Sequence, residues 1–277
     1  MRVRLSINLL LRAGFRRLWR SAAFWGAVGV MFAAAVFELA VSYPVRQAGL
    51  LDNRYMIFAL LSGVVLSAFC SLFTGAEYSD GTMRNKIAVG HSRTAVYLSN
   101  LAVCAAAGVL ACFGYILPMV VTGVPLLGPF TMSVPSLLWF TLCAFIMTAA
   151  LCAVFAMIAM LNQNKAAVAV ICIFLAYFLL FLGIYFNSRL TEPAIIPARE
   201  YIESGQILVR EAMPNPAYVQ GVKRAIFALL YDLPGCQAVQ LVAEAEACPV
   251  RLPLLSLGAA AVSTGAGLAL FRRKDLK

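Results

Sequence analysis

Charge is scarce in this sequence. Only 12% of its 277 residues are Asp, Glu, Lys or Arg, whereas soluble domains carry about 25%. Hydrophobic residues make up 62% of the chain, and its mean hydropathy is +0.87. A water-soluble fold of this size cannot cover its surface with so few charges. In lipid, by contrast, a helical span needs about 20 predominantly apolar residues. The composition therefore predicts an integral membrane protein.

The sequence also lacks the motifs of ATP hydrolysis and of intramembrane proteolysis. It contains no Gly-Lys dipeptide, which excludes a P-loop. No His-Glu-x-x-His motif and no pair of acids falls within an apolar run, which argues against zinc and aspartyl proteases. The single histidine, His91, stands beside Ser92 in a polar segment, but a Ser–His pair needs a third orienting group and shelter from water. We therefore predict no catalytic, cofactor-binding or metal-binding residue in this chain.

Six apolar runs predict six transmembrane helices and an all-α membrane protein. The runs cover residues 22–43, 55–73, 97–121, 137–160, 166–186 and 252–271. The first run is longer than the hydrophobic region of a signal peptide, which has about 7–15 residues. It also follows a basic segment, residues 1–20. We therefore expect the first run to remain in the protein as a span.

Residues 1–20 predict an amphipathic helix that lies on the membrane surface. Its basic stripe recurs at every fourth residue, and an apolar stripe lies on another face. The basic stripe consists of Arg12, Arg16 and Arg20, and the apolar stripe of Ile7, Leu11, Gly14 and Leu18. Such a helix binds an anionic leaflet and also acts as a basic anchor for the first span.

The distribution of Lys and Arg predicts the orientation of the chain. If the N-terminus is cytoplasmic, the short inner segments hold most of the basic residues, and the short outer loops hold only Arg46 and Arg54. We therefore predict that both termini are cytoplasmic and that residues 187–251 are extracytoplasmic. Because the basic residues flank spans, the net charge of +10 indicates a lipid bilayer as partner and not nucleic acid.

The connection at 187–251 is too long to be a plain turn. Residues 207–213 and 219–231 are predicted to form short helices, separated by the breaker Pro214-Asn215-Pro216. Apolar helices beside a membrane commonly lie in the interface, because exposed backbone groups must be satisfied there.

Charge is concentrated in one segment, residues 77–93, which follows the second span. Glu77, Asp80, Arg84 and Lys86 fall within ten residues. Asp80 and Arg84 have the spacing of an ion pair on one helix face, and Gly81 and Gly90 allow turns on either side of a short helix. By physics alone, the simple interpretation is a solvated cytoplasmic loop.

The same segment resembles a known family. Its pattern is Glu-Tyr-x-x-Gly-Thr-x-Arg-Asn-Lys at 77–86, followed by Gly-x-Ser-Arg at 90–93. This pattern resembles the loop after the second span of type-2 ABC-transporter permeases, many of which are bacterial export subunits. The six-span layout, the long loop before the last span and the basic tail are similar as well. The resemblance thus covers essentially the whole chain, 1–277, as one permease domain.

The resemblance implies that the 77–93 segment carries a coupling helix that docks on a separate ATP-binding subunit, which binds ATP and Mg²⁺. Glu77 and Arg84 would form ion pairs, Gly81 and Gly90 would be hinges, and Thr82 would cap a helix. Two permease chains, identical or related, would form one pathway in a bacterial plasma membrane. The residues implied in coupling are Glu77, Tyr78, Gly81, Thr82, Arg84, Asn85, Lys86, Gly90, Ser92 and Arg93.

Rival functions are a secondary transporter and a membrane-embedded enzyme. A secondary transporter needs an intramembrane ion site, for which Glu38, the one acid inside an apolar run, is the candidate. Glu38 either lines a pathway or anchors its helix at the interface. An enzyme would need a catalytic constellation, and the sequence offers none.

Two cysteines fall in the predicted outer connection, Cys236 and Cys248. A disulfide between them would contribute about 3 kcal/mol in the chain-entropy model. The alternative is two free thiols in an interfacial helix.

Overall fold

A computed structural model of the chain describes residues 2–44, 50–197, 199–203, 206–210, 212–243 and 249–274. The helices are α1 (Arg2–Trp19), α2 (Ala22–Ser42), α3 (Leu50–Tyr55), α4 (Ile57–Ser79), α5 (Thr82–Ala88), α6 (Arg93–Pro118), α7 (Val124–Leu127), α8 (Val134–Leu161), α9 (Lys165–Thr191), α10 (Val222–Tyr231), α11 (Gln237–Ala243) and α12 (Arg251–Arg273). The strands are β1 (Ile195–Ile196), β2 (Arg199–Glu203), β3 (Gln206–Arg210) and β4 (Met213–Pro214).

Six helical segments of the described chain are long and apolar enough to cross a membrane. They contain α2, α4, α6, α8, α9 and α12, and each coincides with one predicted span. The predictions of six spans and of an all-α membrane fold are therefore confirmed.

The third span differs from its prediction at Pro118. We expected the helix to end near residue 121 and a loop to follow. Instead α6 ends at Pro118 and the chain continues through a π-helical turn, Met119–Gly123, into α7. Proline supplies no backbone N–H and crowds the preceding turn, which favours such a widened turn. The hydroxyl of Thr122 donates to the carbonyl of Pro118 at 2.6 Å.

The core of the bundle lies around α4 and α8. Helix α4 packs against α2, α6, α8 and α9, and α8 also packs against α6 and α12. Three buried hydroxyls on α4 donate to carbonyls three residues earlier in the same helix, and one of them, that of Ser62, also accepts from the Thr148 hydroxyl of α8 at 3.3 Å. These hydroxyls belong to Ser62, Ser67 and Ser71.

Helix α1 is amphipathic, as predicted. Its apolar face packs on α6, with Leu10 and Leu18 buried, while Arg12 and Arg16 are exposed. Gly14 lies so close to α6 that an added Cβ would stand 2.8 Å from a methyl group of Val103. The helix is therefore held by packing against the bundle, and its binding to a membrane surface stays a prediction.

One predicted helix of the outer connection is wrong. Residues 207–210 lie in β3, which pairs with β2 in an antiparallel ladder, and Met213 lies in β4, which pairs with β1. The register pairs Glu203 with Gln206, and β-branched residues such as Ile207 and Val209 favour strands. The second predicted helix, at 219–231, is confirmed as α10. Helix α11 was not predicted.

The two ends of the bundle are distinguished by their contacts. At one end Arg17 of α1 meets Glu77 of α4, and Arg93 of α6 meets the end of α12. We call this the basic end. At the opposite end the Asp52 carboxylate accepts from the backbone of Thr131 at 3.0 Å. The basic end therefore gathers the N-terminal helix, α5 and the C-terminal tail.

The contact at Gly14 gives a test of how α1 is held. Gly14→Val should lower the thermal unfolding midpoint in detergent, because overpacking against buried Val103 costs about 1–3 kcal/mol. Ala13→Val, at the neighbouring exposed position, is the control and should leave the midpoint nearly unchanged. Equal midpoints for the two variants would show that α1 does not pack on α6.

Candidate functional site

The 77–93 segment forms a short helix between two glycine turns. Helix α4 ends at Ser79, α5 spans Thr82–Ala88, and α6 begins at Arg93. Gly81 has φ = 65° and Gly90 has φ = 98°, a left-handed conformation that glycine adopts without steric cost. The prediction of turns on either side of a short helix is therefore confirmed.

Helix α5 buries one side chain and exposes the opposite face. Met83 is buried in a cluster with Tyr97 and Phe271. The exposed side chains of α5 are Thr82, Arg84, Asn85 and Ala88. Val89, just after the helix, is 81% exposed. This exposed face is available to another molecule.

The carboxylate of Glu77 is buried directly beneath α5. Its side chain is 2% exposed. Its Oε1 forms ion pairs with both Arg17 of α1 and Lys86 of α5, and its Oε2 accepts from the amide of Asn100 of α6 at 3.3 Å. We call these four residues the Glu77 cluster. Because a buried carboxylate is costly unless it is paired and hydrogen-bonded, the cluster fixes α1, α5 and α6 to the end of α4.

Arg17 is held by three kinds of contact. Besides its ion pair with Glu77, its Nη2 donates to the carbonyl of Phe73 at 3.3 Å. Its guanidinium also lies 3.8 Å from the centroid of the Phe73 ring, a cation–π geometry. Arginine suits this position, because its planar group can stack and donate at the same time.

Two expectations about this segment were wrong in detail. Thr82 does not cap α5: the N-cap position is Gly81, and the Thr82 hydroxyl donates instead to the Glu77 carbonyl at 3.1 Å, at the end of α4. Asp80 and Arg84 do not share a helix face, because the turn at Gly81 separates α4 from α5. Accordingly, the ion pairs of the described residues do not include an Asp80–Arg84 pair.

A second set of contacts ties the 77–93 segment to the C-terminal tail. Ser92 caps α6 by accepting from the Ala95 amide at 3.2 Å. The guanidinium of Arg93 donates to the carbonyls of Phe271 at 3.3 Å and Arg272 at 3.1 Å, and also to that of Lys274. A cation at these carbonyls offsets the negative end of the α12 dipole.

Lys274 and Tyr78 complete this contact. The Lys274 amine donates to the Tyr78 hydroxyl at 3.1 Å and to the Met160 carbonyl at 3.0 Å. It also lies 4.5 Å from the centroid of the Tyr78 ring, and the Tyr78 hydroxyl donates to Met160. Burial lowers the pKa of Lys274 to about 8. Tyr78 thus joins the end of α4 to both α8 and the tail.

The other predicted residues lie away from this site. Glu38, at the opposite end, forms an ion pair with Arg54 at 2.9 Å. The Arg54 carbonyl accepts from the Tyr115 hydroxyl at 2.8 Å, so this pair joins α2, α3 and α6. Both roles considered for Glu38, anchoring at the interface and lining a pathway, stay predictions.

Cys236 is a buried thiol that donates to the Leu179 carbonyl at 3.2 Å. Burial raises its pKa to about 12, so it is a poor nucleophile. Cys248 lies outside the described residues, and the disulfide between the two stays a prediction.

Three residues of this site were not predicted from the sequence: Arg17, Asn100 and Lys274. A signal for Arg17 was present, because it lies three residues after Gly14, next to the apolar stripe of α1 and off the basic stripe. A cation on a buried face needs a carboxylate partner. The sequence contained no comparable signal for Asn100 or Lys274.

Loss of the Glu77 charge should destabilise the basic end. We expect Glu77→Gln to lower the free energy of unfolding by about 3 kcal/mol, because two partly buried cations lose their shared carboxylate. A thiol-reactive dye can report unfolding, since the seven cysteines in the described part of the chain are buried and become accessible. Asp80→Asn is the control, because Asp80 is exposed. Equal unfolding midpoints for the two variants would contradict the pairing.

The lowered pKa of Lys274 predicts a pH dependence. Between about pH 8 and the usual lysine pKa of about 10.4, the folded state binds fewer protons than the unfolded state, so stability rises with pH. We expect the unfolding midpoint of the wild type to rise from pH 8 to about pH 9.5 relative to that of Lys274→Met. Parallel pH curves for the two proteins would show that Lys274 is not buried in the fold.

Comparison with known proteins agrees with this geometry. Residues 10–181 match the family model described as ABC-2 family transporter protein. The matched residues are more than half of the chain and run from α1 through the 77–93 segment into α9. A search of curated proteins gives no match. Proteins of this family are membrane components of ABC transporters, not themselves enzymes, and work with an ATP-binding subunit. The chain is a multi-pass membrane protein and belongs to the ABC-2 transporter family.

Proposed function

We propose that this chain is the permease subunit of an ATP-driven exporter and that α5 is the helix on which its ATP-binding subunit docks. One observation carries the proposal: α5 presents an exposed face, with Arg84 and Asn85, while its opposite side rests on buried Met83 and the Glu77 cluster. A helix that is exposed on one face and fixed on the other can transmit a displacement of its partner to the spans. ATP and Mg²⁺ would bind to the partner subunit.

The contacts suggest how a displacement of α5 would reach the spans. Lys86 joins α5 to Glu77, and Glu77 in turn contacts α1 and α6. Arg93 joins the beginning of α6 to the end of α12. Closure of the ATP-binding subunits would therefore move α1, α4, α6 and α12 together. The chain performs no chemistry on the cargo in this account.

The basic end supports the proposed orientation. It carries exposed Arg12 and Arg16 on α1, Arg84 on α5, and Arg272 and Arg273 at the end of α12. Lys and Arg accumulate on the cytoplasmic side of membrane proteins. We therefore place this end and both termini in the cytoplasm, in a bacterial plasma membrane. The direction of transport, export, rests on the resemblance of the 77–93 motif to bacterial export subunits.

We further propose that residues 1–277 act as one permease domain and pair with a second permease chain, identical or related. The extensive packing of α12 on α8 supports a single unit, because it joins the last span to the part of the chain that matches the family. Helices α9 and α12 leave large apolar side chains exposed, such as Phe174, Phe181 and Val262, which face either lipid or that second chain.

Docking can be tested by co-purification. A P-loop ATPase should purify with the tagged wild-type chain from its native membrane, and Arg84→Glu should abolish this association by reversing an exposed charge on α5. Arg16→Glu is the matched control, since Arg16 is equally exposed but lies on α1. The control should retain the ATPase.

Two results would contradict the proposal. If no ATPase purifies with the wild type in mild detergent, the chain works without one, as a secondary transporter would. If Arg84→Glu and Arg16→Glu both retain the ATPase, docking does not use α5. Both variants should have the same unfolding midpoint as the wild type. A loss of ATPase binding then does not result from a loss of the fold.

A further inference from the structure

A groove runs between α2 and α4 at the basic end of the bundle. Its inner part is an apolar cavity of about 380 Å³, lined by residues of α2 and α4 such as Ala27, Val30 and Phe69. Its outer part is a cavity of about 410 Å³ at the junction of α1 and α2. Ala23 and Leu72 line both cavities, so they form one continuous groove.

The inner part is open because small residues line it. Ala23, Gly26 and Ala27 of α2 face Ala68 of α4 across the space. A Cβ atom added to Gly26 would meet nothing within 4 Å. Water is excluded from such an apolar space at membrane depth, so hydrocarbon is its natural occupant.

The outer part is cationic. Arg17, Arg20 and Lys165 line it, with one acid, Asp80. Lys165 is exposed, and its stem lies across Gly75, where an added Cβ would stand 2.8 Å from the Lys165 Cγ. Arg17 is paired with Glu77, but the ion pairs of the described residues include neither Arg20 nor Lys165. Two cations are therefore free to bind an anion.

We propose that an anionic phospholipid of the surrounding leaflet occupies this groove. Its phosphate contacts Arg20 and Lys165, and one acyl chain lies between α2 and α4 along Gly26 and Ala68. The charges favour a lipid over a second copy of this chain, because a symmetric contact at this place would bring Arg20 against its own counterpart. The inference does not depend on an ATP-binding partner or on the direction of transport.

The bound lipid would support the Glu77 cluster. Arg17 lines the groove and forms the ion pair with Glu77, so a phospholipid that holds α1 and α2 against α4 also holds Arg17 in place. Lys165 adds the beginning of α9 to the same contact. Anionic lipid should therefore raise the stability of the folded chain.

The test uses purified full-length protein in detergent, titrated with palmitoyl-oleoyl phosphatidylglycerol or with the zwitterionic phosphatidylcholine of the same chains. Bound lipid is counted by native mass spectrometry, and the unfolding midpoint is followed with the thiol dye. We expect phosphatidylglycerol to bind more tightly and to raise the midpoint. Equal effects of the two lipids would overturn the proposal.

Variants separate the headgroup site from the acyl-chain site. The double variant Arg20→Gln/Lys165→Gln should weaken phosphatidylglycerol binding about ten- to thirty-fold, since each cation near an anionic surface is worth about 1 kcal/mol. Its control, Arg84→Gln/Arg273→Gln, removes two exposed cations of the same end that lie outside the groove and outside the basic stripe of α1, and should change binding little. An equal loss of phosphatidylglycerol binding in both double variants would show a diffuse attraction between the lipid and the basic end, and would overturn the proposed site.

Filling the inner cavity tests the acyl chain. Gly26→Leu should abolish the lipid-dependent rise of the midpoint without harming the fold, because the position is open. Gly29→Leu is the matched control, on the same helix and equally open, but outside the groove. If Gly26→Leu instead changes the oligomeric state and leaves lipid binding intact, a second chain occupies the groove and the proposal is wrong.

Discussion

The buried carboxylate of Glu77 is the constraint on which the basic end of this protein depends. A carboxylate that is 2% exposed must be paired and hydrogen-bonded, or the fold loses several kcal/mol. The chain meets this requirement with groups from three different segments: Arg17 from the N-terminal helix, Lys86 from α5 and Asn100 from α6. One charge therefore fixes the relative positions of elements that are far apart in sequence. Removal of any one of these partners therefore weakens the positioning of the others.

This arrangement explains how a helix as short as α5 can serve as a docking element. A seven-residue helix does not hold its structure alone in water. Its position depends on Met83, on the glycine turns at Gly81 and Gly90, and on the ion pair of Lys86 with Glu77. Arg17 belongs to the Glu77 cluster and also lines the groove between α2 and α4. A lipid in the groove and an ATP-binding subunit on α5 would therefore act on the same set of contacts.

Much of the fold could be predicted from the sequence, because hydrophobic run length decides where a chain crosses a membrane. All six spans and the amphipathic α1 agree with their predictions. The failures have physical causes. Aliphatic residues at 207–209 fit a helix or a strand equally well until their pairing with β2 is known. The turn at Gly81 separated Asp80 from Arg84. Two of the three partners of Glu77 could not be assigned to it from the sequence, because Arg17 lies 60 residues before it and Asn100 lies 23 after it. Contacts that depend on tertiary packing leave no periodic pattern.

The most direct test of the account is whether Glu77 holds α5 in place. Spin labels at Val89→Cys and Val262→Cys, both at highly exposed positions, report the distance between the tip of the 77–93 segment and α12. The native cysteines of the described residues are buried and can remain. The account predicts one narrow distance distribution in the otherwise wild-type protein and a clearly broadened one when Glu77→Gln is added, at a temperature where both remain folded. An unchanged distribution would show that α5 is positioned without the Glu77 cluster and would contradict the central claim.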